Sequence, residues 1–243
     1  MNITDILRSC IAEGNVVKLP PIQLSRENYL KVKKELELIG GKWKGGKTQG
    51  FVFEYDPSEL LAQLADGEKR NLKKEYQFFE TPAALADKLV AYAEMKITDK
   101  VLEPSAGRGA IVKAVHRRFP GHAVHGYELM DINRTFLGKL PDFVLLGNDF
   151  LVECDQHFDV IIANPPFAKN QDIDHIMKMH SILPAGGRLV SIASIHWQFA
   201  SGRKETAFRE WLQLKDAQII PVPRGAFEES GTIIETCIIV IRN

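Results

Sequence analysis

The sequence is poor in cysteine. Its 243 residues include three cysteines, Cys10, Cys154 and Cys237, which lie too far apart to fit a disulfide framework or a CxxC metal pair. The histidines form no recognisable ligand set. We therefore expect reduced thiols and no bound metal.

Long apolar runs and a charge imbalance are also missing. Runs such as residues 160–163 and 238–241 fall well short of the roughly 18 residues of a membrane helix. The N-terminus lacks the basic stretch and apolar core of a secretory signal, so we expect a cytoplasmic protein without a membrane segment. Lys and Arg total 31, as do Asp and Glu. Any contact with nucleic acid must therefore be a local patch.

The chain is predicted to contain two parts. A polar run at residues 66–74 has almost nothing to bury and reads as a linker, so we divide the sequence into 1–75 and 76–243. In the first part we predict a helix capped by Ser25, a hairpin over 42–55 and a short helix over 58–64. This part would be a small mixed α/β appendage.

Apolar runs alternate with helical patterns in the second part. This alternation predicts an α/β domain with a mostly parallel seven-stranded sheet covered on both faces. The last two strands have no helix between them, so we expect the C-terminal strand to be antiparallel. The predicted strands are residues 100–103, 122–128, 143–146, 158–163, 188–193, 218–222 and 232–241. The first helices between them are predicted over residues 111–119, 132–140 and 173–183.

The first three strand ends carry residues suited to a nucleotide-like cofactor. Gly107 and Gly109 follow the first strand, where a glycine-rich turn lets the backbone approach a ligand, although a tight turn without a ligand would use the same residues. Glu128 ends the second strand, in the position of an acid that binds ribose hydroxyls. Asp149 and Phe150 could bind an adenine ring, but Asp149 could also be a helix cap.

A nicotinamide cofactor would satisfy the same features. However, Glu103 and Pro104 before the glycines differ from the GxGxxG pattern, and Val112 stands in place of its third glycine. We therefore disfavour hydride transfer.

The fourth strand ends in Asn164-Pro165-Pro166-Phe167. Two prolines make a rigid corner that would hold Asn164 at the carboxyl edge of the sheet, although the corner could be only a turn. The Asn164 side-chain oxygen and the Pro165 carbonyl could accept both hydrogens of an amine and direct its lone pair at an electrophile. Phe167 could stack on a base. No cysteine follows a proline at a strand end, so attack by a thiolate has no candidate nucleophile.

These blocks resemble those of the S-adenosylmethionine-dependent DNA adenine-N6 methyltransferases of the gamma motif order. The resemblance covers residues 76–243: Phe78-Phe79-Glu80-Thr81-Pro82, the turn from Glu103 to Gly109, and Asn164 to Phe167 occur in the family's order. It implies a Rossmann-like class I methyltransferase fold and methylation of a flipped adenine. It also implies that Phe227 faces Phe167 across that adenine, although Phe227 could instead plug the sheet edge. The cofactor-binding residues it implies are Thr81, Glu103, Gly107, Gly109, Glu128, Asp149 and Phe150.

The sequence departs from the family at its C-terminus. Members usually carry a target-recognition domain after the last core strand, and this sequence stops at Asn243, so it resembles a small form. Specificity would then be low, or come from the appendage or a partner subunit. Residues 26–47 hold seven basic and three acidic side chains, and a second basic cluster is Lys69, Arg70, Lys73 and Lys74. Both could contact DNA phosphates, or could be a solvated helix face and linker.

Three hypotheses remain open from the sequence. The chain could be a DNA adenine-N6 methyltransferase, an amino-group methyltransferase of RNA or of protein glutamine, or a non-catalytic S-adenosylmethionine-binding subunit. The Phe78–Pro82 block favours the first over the second, and intact Asn164 and Phe167 disfavour the third.

Overall fold

The computed structural model describes residues 2–72, 79–228 and 234–243. The fold divides into two compact units, Met1–Gln77 and Phe78–Asn243. Phe78 of the first predicted block, the basic residues Lys73 and Lys74, and residues 229–233 before the last strand lie outside the described residues. The separate roles predicted for 1–75 and 76–243 stay predictions.

The first unit is a small antiparallel sheet with helices. Its elements are α1 (Ile3–Arg8), β1 (Ile11–Glu13), β2 (Val16–Lys18), α2 (Arg26–Leu38), β3 (Lys42–Lys44), β4 (Gly50–Val52) and α3 (Ser58–Ala65). The strand order is β1-β2-β4-β3, and each neighbouring pair is antiparallel. Ser25 caps α2 by accepting the Asn28 N–H, as predicted. The β1–β2 hairpin was not predicted, because its strands are only three residues long.

The second unit is built on a seven-stranded sheet. Its strands are β5 (Val101–Glu103), β6 (Val124–Tyr127), β7 (Phe143–Gly147), β8 (Val160–Ala163), β9 (Arg188–Ser194), β10 (Gln218–Pro221) and β11 (Thr236–Arg242). Their order across the sheet is β10-β11-β9-β8-β5-β6-β7. Strands β5 to β9 pair in parallel, and β11 is antiparallel to both β9 and β10. The mostly parallel sheet with its antiparallel C-terminal strand is confirmed.

Helices cover both faces of this sheet. They are α4 (Ala83–Tyr92), α5 (Ala110–Arg118), α6 (Asp131–Leu137), α7 (Phe150–Glu153), α8 (Gln171–Ser181), α9 (His196–Phe199) and α10 (Arg203–Leu214). The side chains of β8 alternate between two buried clusters: Ile161 and Ala163 belong to the one that includes α8 and α10, and Val160 and Ile162 to the one that includes α4 and α5. Burial on both sides explains why β8 reads as an unbroken apolar run.

Two observations concern membrane-spanning helices and metal sites. Within 2–72, 79–228 and 234–243, the helices are too short or too polar to cross a bilayer. The same residues contain no group of three or more His, Cys, Asp or Glu side chains arranged around a metal position. Cys10, Cys154 and Cys237 are free thiols.

Candidate active site

The predicted site residues gather at the carboxyl edge of the parallel strands. Glu103 ends β5, Glu128 follows β6, Asp149 follows β7 and Asn164 follows β8. Hydrogen bonds join the first two strand ends: Ala106 N–H donates to the Tyr127 carbonyl at 2.9 Å. This edge is where open α/β sheets bind their ligands.

The glycine turn has two distinct parts. Gly107 (φ 55°) and Gly109 (φ 76°) both adopt left-handed backbone conformations. A Cβ on Gly109 would lie 2.3 Å from Leu140 Cδ1, so this glycine is required by packing as well as by conformation. Gly107 donates its N–H to Glu128 Oε2 at 2.6 Å. Packing and backbone conformation thus account for Gly109, whereas Gly107 brings backbone to the acid predicted to bind a ribose.

Glu128 is 8% exposed and is held by several donors. Its Oε1 accepts the Met130 N–H at 2.8 Å and the Asn133 amide at 3.2 Å, and its Oε2 accepts the Gly107 N–H. A carboxylate oxygen has two lone-pair positions, so Oε2 retains one for a ligand. Burial raises the pKa of Glu128, while the three donors favour its charged form. Asn133 was not predicted as a site residue; it stands five residues after Glu128 in the first turn of α6.

Glu103 is 2% exposed and is only partly satisfied. It accepts a hydrogen bond from the Val112 N–H, but its Oε2 is buried and finds no partner among the residues that the structure describes. Burial raises the pKa of Glu103 well above its usual value, and the neighbouring Glu128 raises it further. An orphaned acceptor of this kind beside a glycine turn fits a ligand that brings a hydrogen-bond donor or a positive charge.

Glu103→Gln should therefore stabilise the cofactor-free protein. Because the folded-state pKa of Glu103 is raised, its protonated form favours folding at low pH, and that contribution is lost as pH rises through the folded pKa. A neutral amide costs less to bury than a carboxylate. We expect thermal denaturation to show a melting temperature several degrees higher for the variant at pH 8 and a smaller difference at pH 5. If the variant and the wild type had the same melting temperature at pH 8 and again at pH 5, burial of the Glu103 carboxylate would not destabilise the protein.

Asp149 and Phe150 have structural partners in this conformation. Asp149 Oδ1 accepts the Leu151 N–H at 2.9 Å, so the residue caps the short helix α7. The Phe150 ring is buried, with its centroid 5.8 Å from that of Tyr127 and 5.9 Å from that of His175. The core accounts for these contacts, and the role of both residues in binding adenine stays a prediction.

The corner at the end of β8 fixes the orientation of the Asn164 amide. Asn164 Nδ2 lies 3.2 Å from the Phe79 carbonyl oxygen and 3.0 Å from Thr81 Oγ1. A carbonyl can only accept, so the atom facing Phe79 must be the NH₂ group. Asn164 Oδ1 is then the acceptor left over, and it is buried with no hydrogen-bond partner among residues 2–72, 79–228 and 234–243. Pro165 is buried beside it.

Phe167 and Phe227 contact the same core cluster. Phe227 is buried, and Phe167 is partly buried against the cluster that holds Phe227. This placement accords with a plug at the sheet edge, and the paired stacking of a base between the two rings stays a prediction.

A cavity of about 350 Å³ opens beside Thr81, whose Oγ1 accepts a hydrogen bond from the Asn164 amide. Its lining includes Thr81 and residues from the first turns of α4 and α5. Two basic side chains that the sequence analysis had not selected, Lys113 and Arg117, also line it. Arg117 is paired with Asp87 at 2.6 Å. Their spacing of four along α5, directly after the glycine turn, was a signal available in the sequence.

Comparisons with known proteins identify the fold. No protein-family model matches the chain. A modification methylase, CviBIII of Paramecium bursaria Chlorella virus NC1A, is 30% identical over 119 residues, which are 45% of this chain and 32% of the methylase. The M protein of the type I restriction enzyme EcoKI superposes with a TM-score of 0.56 and 17% identity over 99% of this chain and 56% of its own. TrmN from Thermus thermophilus gives a TM-score of 0.52 and 17% identity over 92% and 69%.

The chain has the Rossmann-like fold of the class I methyltransferases. The chain spans about a third of the curated methylase. Structural matches at 17% identity are evidence of the fold alone.

Proposed function

We propose that the chain transfers a methyl group from S-adenosylmethionine to the N6 amino group of an adenine in DNA. The observation that carries this proposal is the buried, unpartnered Oδ1 of Asn164, whose amide is held by Phe79 and Thr81. A buried acceptor without a partner costs free energy in the empty protein and is expected where a substrate supplies the donor.

The residues of the strand ends fit the cofactor. Glu103 offers an acceptor without a partner among the described residues, Gly107 has no side chain to block a close backbone approach, and Glu128 keeps one lone-pair position for a ribose hydroxyl. We assign Thr81, Gly109, Asp149 and Phe150 to the same site on the resemblance of their blocks. S-adenosylmethionine would supply an electrophilic methyl group on a positively charged sulfur.

The chemistry of Asn164 follows from the weakness of the nucleophile. The adenine amine is a poor nucleophile because its lone pair is delocalised into the ring. Asn164 Oδ1 and the Pro165 carbonyl accept its two hydrogens and direct the lone pair at the methyl group, so catalysis is mainly positioning and electrostatic stabilisation. Nitrogen would bond to the methyl carbon as the carbon–sulfur bond breaks, which would leave a neutral thioether, and the proton lost by the amine would pass to solvent. Phe167 and Phe227 would hold the flipped base.

DNA and a specificity subunit are the proposed partners. The similarity to a modification methylase and to the M protein of a restriction enzyme supports a restriction–modification setting, and we propose the cytoplasm as its location. We also propose that the first unit contacts DNA phosphates. Two of the lysines that suggested this are already paired on α2, Lys31 with Glu27 at 2.6 Å and Lys33 with Glu37 at 3.6 Å. Lys34, Lys42, Lys44 and Lys47 are therefore better candidates than Lys31 and Lys33.

The direct test compares substrate classes. The chain should be incubated with labelled S-adenosylmethionine and, separately, with duplex DNA, structured RNA and a glutamine-containing peptide. We expect label in DNA. Label in RNA or peptide alone would favour the alternative amino-group substrates, and cofactor binding without transfer to any of them would favour a non-catalytic subunit.

A further inference from the structure

The segment before α4 is tied to the catalytic corner by Thr81. Thr81 is buried, and its Oγ1 accepts one N–H of the Asn164 amide while the Phe79 carbonyl accepts the other. Both N–H groups of the amide are thus used, although the residues lie more than 80 positions apart in the chain. Because both N–H groups of the amide donate, the Asn164 amide cannot rotate about its Cβ–Cγ bond without breaking two hydrogen bonds.

We propose that Thr81 is a positioning residue that acts through Asn164, beyond the cofactor contact that the family resemblance implies for it. This inference rests on the proposed function. Phe79 determines which way round the amide lies, since a carbonyl cannot donate. Thr81 removes the remaining freedom by engaging the second N–H, so that Oδ1 stays directed at the substrate amine.

Thr81→Val and Thr81→Ser test this role. Valine keeps the volume and lacks the acceptor, so kcat should fall about tenfold, in line with the loss of one neutral hydrogen bond. Serine keeps the hydroxyl and should restore most of the activity. Because the role runs through Asn164, Thr81→Val should cause no further loss of kcat in a chain that already carries Asn164→Ala.

The alternative role as a cofactor contact gives a different pattern. If Thr81 only binds S-adenosylmethionine, Thr81→Val should raise the cofactor Kd, and should raise it equally in the Asn164→Ala chain. That result, or an unchanged kcat in the valine variant, would overturn the inference about Thr81. The proposed function would still stand if the wild-type chain methylates DNA. If the wild-type chain transfers no methyl group, the proposed function fails and the inference fails with it.

A second and independent observation concerns the edge of the sheet in the first unit. Trp43 lies in the edge strand β3 and is 42% exposed, although its ring packs edge-on against Tyr29 (6.3 Å) and Phe51 (5.2 Å). All six residues of 42–47 are exposed. This ring is therefore held in place from two sides while much of its surface meets solvent.

Basic residues are close to Trp43 in the chain. Lys42 and Lys44 flank it in the edge strand β3, where successive side chains leave opposite faces, and Lys47 follows in the turn. Arg26 stands three residues before Tyr29 on α2, which places it on the same helix stripe. Residues 38–53 contain no Asp or Glu. A fixed aromatic surface among positive charges matches the chemistry of an unpaired base with its phosphates.

We infer that the exposed edge strand β3 and the turn after it bind single-stranded nucleic acid, with one base stacked on Trp43 and the phosphates running along the edge past Lys42, Lys44 and Lys47. Stacking requires an unpaired base, so single strands should bind this surface better than a duplex. The inference does not depend on methyl transfer, because binding can be measured without the cofactor.

Fluorescence anisotropy with labelled oligothymidylate, oligouridylate and a duplex of equal length tests this surface in the full chain. Trp43→Leu fills the same space without an aromatic face and should weaken single-strand binding roughly 5- to 150-fold, the usual range for one stacked base. Leu30→Ala is the matched control, since Leu30 is an exposed apolar residue on α2 of the same unit. The double variant Lys42→Gln and Lys44→Gln should show a binding constant that depends less on salt. The slope of log K against log[salt] should become smaller by about 0.7 for each phosphate that the protein no longer neutralises.

The outcomes distinguish between the ligands that could bind this surface. Tighter binding of oligothymidylate or of oligouridylate would identify DNA or RNA as the source. Equal affinity of wild type and Trp43→Leu for single strands would overturn the inference. The inference would also be overturned if heparin bound and excluded the oligonucleotides. A surface that recognises only negative charge would fit an acidic protein equally well.

Discussion

Asn164→Ala should reduce the rate of methyl transfer by about 10²–10³-fold and leave cofactor affinity almost unchanged. The variant removes the buried side-chain acceptor at the end of β8, which has no partner in the part of the chain that the structure describes. Loss of an oriented hydrogen-bonding group at a reacting centre has an effect of this size. Single-turnover kinetics would measure the rate, and calorimetry with S-adenosylmethionine would measure the affinity.

Two further variants make the Asn164 result specific. Asn164→Asp keeps an acceptor but lacks the NH₂ group that donates to Phe79 and Thr81, so we expect a partial loss of rate. Asn28→Ala, on α2 of the other unit, should have no effect. A rate within about tenfold of wild type for Asn164→Ala would mean that Asn164 is only a turn residue.

Glu128→Ala should have the opposite pattern, with weaker cofactor binding and an intact fold. The variant removes a charge-assisted hydrogen bond to a ribose hydroxyl, worth about 1.5–3 kcal/mol, or roughly 10- to 150-fold in Kd. It also releases the Gly107 N–H, the Met130 N–H and the Asn133 amide, so the glycine turn loses its anchor. Calorimetry measures the affinity, and circular dichroism checks the fold.

A matched control for Glu128 is available on the surface. Glu210 is an exposed glutamate of α10, and Glu210→Ala should not change the cofactor Kd. If Glu128→Ala binds S-adenosylmethionine as tightly as wild type does, the cofactor is wrongly placed and the nicotinamide alternative regains support.

The sheet could be predicted from sequence because its strands are buried on both faces. Runs such as Val160 to Ala163 are apolar throughout, and they alternate with helical patterns in the order of a parallel sheet. Short or half-exposed elements gave weaker signals. The β1–β2 hairpin and the short helices α7 and α9 carry too few residues for a periodic pattern to appear.

The site could be predicted only at the level of residue types. The turns at Gly107 and Asn164 were visible because glycine and proline mark special backbone geometry. The hydrogen bonds from Asn164 to Phe79 and Thr81 were not, since they join residues more than 80 positions apart. The unpartnered oxygens of Glu103 and Asn164 likewise follow from packing, which a single sequence does not record.

Nucleoside mass spectrometry of methylated duplex DNA tests the central claim most directly. Duplex DNA should be incubated with S-adenosylmethionine and the wild-type chain, or with the Asn164→Ala chain, and then digested to nucleosides. We predict N6-methyldeoxyadenosine with the wild type and little or none with Asn164→Ala. A methyl group on cytosine carbon, or equal N6-methyladenine from both chains, would contradict the account.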